Sequence, residues 1–170
     1  MTRPVKGDYS PYYEGYISKV EGENGIVILK SQLSSTIKYF DEIPEDKGTY
    51  SYAIGKWSIK ELIGHIIDTE RVFAYRAMCI ARGETKSLPG FEQDSYVKSA
   101  NFNERKLNNL VKEFKTLREA NIALFDGFDE VAFSRRGLAN GKEITVLAIL
   151  FIISGHTVHH LNILKEKYLK

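Results

Sequence analysis

The chain has 170 residues, 43% of them hydrophobic and 27% charged, enough to bury the core of one domain and short for two. Lys and Arg number 24 against 22 Asp and Glu, a formal net charge of +2. That balance argues against sequence-independent nucleic-acid binding, which draws on a basic surplus or patch, and Arg135-Arg136 is too small a patch to supply one. The single cysteine, Cys79, cannot form a disulfide within the chain, which fits a reducing compartment. Residues 1–8 carry Arg3 and Lys6 without the apolar run of a secretory signal. The most apolar stretch, Ile144 to Ile153, is too short to span a bilayer. The expectation is a soluble cytoplasmic protein, 1–170 forming one domain, with no membrane or nucleic-acid partner.

In chain order, the tyrosines at 9, 12, 13 and 16 come first; Tyr12 and Tyr16 share a helical spacing, so a short helix packed as an aromatic lid over a core edge is expected. The first long helix is predicted over Asn24 to Glu42, where Ile26, Leu29, Leu33, Ile37 and Phe40 recur at steps of three and four. Pro44 ends it, and a loop with Gly48 and Gly55 follows. Ser58-Ile59-Lys60-Glu61 reads as a capping box with Trp57 stapled before it. It opens a second helix whose stripe is Leu62, Ile66, Phe73, Ala77 and Ile80, stopping near Arg82 at Gly83. A third helix is expected on the seam Leu107, Leu110, Phe114, Leu117, Asn121, Leu124 and Phe128. Asp126-Gly127 and Asn140-Gly141 bracket the next connection. A fourth helix from about Glu143 to Tyr168 is apolar nearly all round at first, hence the most buried, and ends in Lys165, Lys167 and Lys170. Four such helices make an all-α four-helix bundle, and without a sustained period-two pattern a sheet is not expected.

Three of the four histidines lie in one stretch, His156, His159 and His160. His156 and His160 stand at i and i+4, so both imidazoles point the same way, and Ile149, Ile152 and Ile163 share that face. Two buried neutral imidazoles each have a donor and an acceptor to satisfy, and a divalent metal is one natural partner. His65 flanks the buried stripe of the second helix beside Thr69 and Arg76. Taken singly it reads as a core-edge histidine; taken with the pair, three histidines can face one point, the pattern of a catalytic metal site with an open fourth position. His159 is rotated about 60° from His156 and reads as a neighbour.

The histidines also constrain direction. His65 lies about two turns into the second helix, and the pair lies late in the fourth. They are level only if those helices run antiparallel. That excludes a simple up-down-up-down bundle and requires up-down-down-up, with a long crossover between helices 2 and 3. The segment from Gly83 to Asn103 is long enough for that crossover.

Position 157 is threonine, so the glutamate of the H-E-x-x-H zinc motif is absent. Glu61 and Asp68, one turn either side of His65, are candidate catalytic residues, as orienting acceptors or as a general base; for Glu61 the capping box alone is the competing reading. Glu70-Arg71 is either a functional pair or a solvated face, the spacing favouring the solvated face; Arg71 and Arg76 are candidate anion contacts, and Cys79 reads as a small core residue.

Trp57 to Glu61 leading to Gly64-His65, then Asp68 to Arg71 and Tyr75-Arg76, resemble the second helix of the DinB/YfiT-like superfamily. Leu88-Pro89-Gly90-Phe91 with Gln93-Asp94 and Tyr96 resembles its crossover loop, and Ala139-Asn140-Gly141 with Gly155-His156 and His159-His160 its last helix. The resemblance covers about Tyr12 to Tyr168. It implies a four-helix bundle with a divalent metal, nickel or zinc, held by His65, His156 and His160. It further implies a metal-dependent hydrolase or a thiol S-transferase using a low-molecular-weight thiol, with a small-molecule substrate and a homodimeric state. The alternative is a non-catalytic, metal-binding dimeric bundle of a stress or damage response.

Overall fold

A computed structural model describes residues 2–169; Met1 and Lys170, the last of the three lysines expected at the end of the fourth helix, lie outside the described residues. A 3₁₀ turn at Pro11–Tyr13 leads into the single-turn helix α1 (Glu14–Ile17). Helix α2 (Gly25–Asp41) starts where the Asn24 side chain accepts from the amides of Ile26 and Val27. Helix α3 (Ile59–Ala81) opens with the expected capping box: Ser58 Oγ accepts from the Glu61 amide at 3.1 Å, and the Glu61 carboxylate accepts from the Ser58 amide at 2.7 Å. It ends before Gly83, which takes a φ of +89°. The crossover carries a short helix α4 (Gln93–Ser99) and a 3₁₀ turn at Phe102–Glu104. Helix α5 (Leu107–Asp126) and the short α6 (Glu130–Ser134) follow, then strands β1 (Arg136–Ala139) and β2 (Lys142–Thr145), helix α7 (Val146–Ile163) and a π-helical turn at Leu164–Tyr168.

Helices α2, α3, α5 and α7 pack together, and their end-to-end contacts are specific. The Tyr168 hydroxyl donates to the Trp57 carbonyl at 2.7 Å, joining the π-helical turn that follows α7 to the start of α3. Lys30 of α2 meets Asp126 at the end of α5 at 3.3 Å, and farther along Phe40 meets Phe114 at 5.5 Å between centroids. Gln32 in the middle of α2 reaches the carbonyl of Ser154 in the middle of α7, and Lys165, just past α7, lies over the ring of Tyr39 near the end of α2.

The buried interior has two apolar clusters, one built on Phe73, Ile80, Phe125 and Ile149 to Ile153, the other on Ile59 to Ile67, Leu110, Phe114 and Leu164. A polar layer lies between them. On α3 it holds His65, Thr69 and Glu70, on α5 Arg118 and Asn121, and on α7 Ser154, His156, Thr157 and His160, all buried. Such a layer is costly unless its groups satisfy one another.

Four sequence expectations change. The absence of a sheet is corrected: β1 and β2 form an antiparallel hairpin, Gly137 opposite Ile144, and Leu88 bridges to its edge. Asn140 and Gly141 form the two-residue loop with φ of +51° and +69°, the loop chemistry of a type I′ turn. The fourth helix therefore begins at Val146, capped by the Thr145 hydroxyl, three residues later than expected. On α5 the buried positions are 107, 110, 111, 114, 118, 121 and 125, with Leu117 and Leu124 only half-buried. The strict 3.5-residue seam drifts off the face of a straight helix with 3.6 residues per turn. Finally, the helix that carries the apolar stretch, Val146–Tyr168, is long and apolar enough to cross a membrane by length and composition, and 67% of its most apolar 18-residue window is buried inside the protein, as in a core helix.

Candidate metal centre

One turn of α7 separates His156 from His160, and α3 brings His65 against both. The Nε2 atoms of His65 and His160 each lie 3.0 Å from Nε2 of His156, and the ligand atoms of all three lie within 4.8 Å of one another. Nitrogens sharing a zinc ion at ordinary bond lengths sit about 3.3 Å apart. The three residues are 2%, 6% and 8% exposed. Burial is the main cause that lowers all three imidazoles, His65 to about 4, His160 to about 2 and His156 well below its ordinary value; the neighbouring imidazoles add to it. The cluster is neutral at pH 7, with lone pairs available to a cation.

The hydrogen-bond inventory of this cluster does not close by itself. A ring nitrogen has one in-plane position, a proton or a lone pair, yet Nε2 of His156 faces two other Nε2 atoms. His160 Nδ1 is buried without a partner, and His65 Nδ1 has only the Thr69 hydroxyl at 3.4 Å. An ion accepting all three lone pairs removes the conflict, so the donor set fits a divalent metal.

Two glycines place the neighbours. A Cβ on Gly64 would fall on the Phe102 ring, and one on Gly155 on the Tyr16 carbonyl. Each immediately precedes a clustered histidine. The absent side chain at 155 lets α1 lie against α7, and the Tyr16 ring rests edge-on 5.4 Å from His156 and 5.3 Å from His159. His159 is thus a neighbour under a tyrosine. Trp57 lies 4.7 Å from the His65 ring on the other side. A cavity of about 400 Å³ opens from the cluster, lined among others by His65, His156, Tyr13, Tyr16, Arg76 and Phe91. The tyrosine segment was expected to be a lid and is also a wall of this cavity; its helical spacing could not reveal what lay beneath it.

The acidic residues near His65 are engaged elsewhere. Glu61 holds the capping box and accepts from Asn103 at 3.0 Å. Asp68, pushed up by burial against the opposing pull of Arg71, faces Arg71 at 3.6 Å and is absent from the cavity lining. The group at His65 Nδ1 is Thr69. Of the two arginines expected as anion contacts, Arg76 lines the cavity, whereas Arg71 pairs with Glu113 at 2.7 Å beside Arg105. Glu70 is not solvated. It is 2% exposed and takes a bidentate pair from the fully buried Arg118 at 2.7 and 2.8 Å, with Asn121 donating at 3.1 Å. Arg118 also donates to Thr157 Oγ1 at 2.9 Å, tying α3, α5 and α7 beside the histidines. Cys79 is half-buried against the core.

The sequence model of the DinB superfamily matches residues 28–164 of this chain, and the chain belongs to that superfamily. Among solved structures it is similar to YfiT from Bacillus subtilis, with a TM-score of 0.74 at 14% identity over 97% of this chain and 91% of that one. YfiT is described as "a probable metal-dependent hydrolase with an unusual four-helix bundle topology". It is also similar to a mycothiol-dependent maleylpyruvate isomerase, with a TM-score of 0.68 at 13% identity over 85% of this chain and 61% of that one. At these identities the likeness is one of fold. No curated protein sequence matches the chain.

Proposed function

We propose that the chain is a metal-dependent enzyme, a hydrolase or a thiol S-transferase, in which His65, His156 and His160 hold one divalent ion with a coordination position open to the cavity. The observation that carries this is the convergence of three buried Nε2 atoms with no hydrogen-bond solution among themselves. Zinc and nickel suit an all-imidazole donor set. The bundle runs up-down-down-up in this reading, supported by the contacts of Trp57 with Tyr168 and of Lys30 with Asp126.

When bound, the ion supplies Lewis acidity and lowers the pKa of a coordinated water or thiol. The chain's residues do the rest. The Thr69 hydroxyl fixes the His65 ring. Trp57 and Tyr16 pack against the His65 and His156 rings and hold them in place. Tyr16, pushed up to about 12 by burial, presents a neutral side chain at pH 7. The names of the similar structures, a metal-dependent hydrolase and a mycothiol-dependent isomerase, favour a small-molecule substrate and admit a thiol cosubstrate. The test is turnover of ester, amide and thiol-acceptor panels by zinc- or nickel-loaded protein. The expected result is activity that chelation and His156→Ala both abolish; activity insensitive to both would refute the assignment.

A further inference from the structure

Among the described residues two arginines are buried, and one of them has a counterion. Arg118 is paired bidentately with Glu70. Arg76 is 3% exposed, and no ion pair among the described residues includes it. Its Nη2 donates to the Pro89 carbonyl at 2.6 Å, while its buried Nε has no partner. The guanidinium lies 5.2 Å from the Phe73 ring centre and 5.9 Å from that of Phe91. A desolvated, unpaired cation is among the more costly features a fold can hold, and this one lines the histidine cavity. The other charged groups of that lining, Glu92 and Lys142, are exposed at its rim and leave the wall with a net positive charge.

We propose that Arg76 is the anion-binding residue of the cavity and that the substrate carries a carboxylate, with an apolar portion seated against the aromatic wall that Tyr13, Phe73 and Phe91 contribute. The guanidinium supplies charge-assisted donors in a planar fork that matches a carboxylate, and the ligand's charge completes the pair that the chain leaves open. The aromatic walls favour a flat apolar body over a second charge. This deepens the reading of the histidine cluster as a metal centre, since it places the substrate's anionic end at a second point of the same cavity. It does not require the ion to be bound.

The probe is benzoate against its neutral isostere benzamide, followed by ligand-observed NMR titration of the protein as purified and after chelation. The expected result is that benzoate binds at least tenfold more tightly than benzamide in both preparations. In Arg76→Gln benzoate falls to the level of benzamide, and Arg76→Lys recovers part of the preference. Metal content of Arg76→Gln equals that of wild type, so loss of the anion preference reads separately from loss of the metal centre. A wild-type protein that does not distinguish the two probes overturns the proposal without reference to any variant. So does an Arg76→Gln protein, folded by circular dichroism, that keeps the preference.

Discussion

Arg118→Met lowers stability by roughly 3–5 kcal/mol, read as a fall in Tm of roughly 10 °C. The substitution keeps the volume but strips Glu70 of its bidentate partner and leaves a carboxylate that is 2% exposed with only Asn121 to bind it. It also removes the donor that ties Thr157 to the pair. The double variant Glu70→Leu/Arg118→Met recovers much of the loss, because both charges leave together and the desolvation penalty goes with them. Thermal melts of the two singles and the double close the cycle. A single variant as stable as wild type would show that the pair contributes nothing to holding α3, α5 and α7 together.

Acid unfolds the metal-free protein. Burial holds the folded-state values of His65 and His160 near 4 and 2, below the ordinary 6.5 they regain on unfolding. The unfolded chain therefore binds more protons as pH falls below 6.5, and stability, fully present above that value, is lost toward the folded-state values. His65 alone withdraws roughly 3 kcal/mol between pH 7 and pH 4, and His156 and His160 act in the same direction. That is comparable to the whole stability of an ordinary domain. A divalent ion competes for the same lone pairs and moves the acid midpoint lower. Denaturation curves of chelated protein from pH 7 to pH 4 check this. A stability that stays flat across the range would mean that the imidazoles are not desolvated.

The parts of the fold that rest on short-range chemistry were legible. Asn24, Ser58 with Glu61, and Gly83 are local signals, and each stands at the boundary it marked. The histidine pair was legible because i and i+4 share a helix face whatever surrounds them, and His65 because it flanked a clear apolar stripe. The hairpin was missed because its strands have four residues each, too few for a period of two to emerge beside a long apolar run. Its one strong mark was Asn140-Gly141 between those segments. Glu70 and Arg118 were missed for a different reason. Charged residues are read as solvated by default, and only the meeting of three helices reveals that each is the other's counterion. Tyr16 belongs to the same class, since its place over His156 depends on Gly155 leaving room on another helix.

In the proposed site three histidines from two helices hold one ion. Elemental analysis of protein purified without chelators and loaded with zinc or nickel tests it directly, run beside His65→Ala. The expected result is one ion per chain in the wild type and loss of stoichiometric metal in the variant, since two imidazoles on one helix turn do not make a three-coordinate site. A wild type that takes up no stoichiometric metal, or a His65→Ala protein that retains it in full, would contradict it.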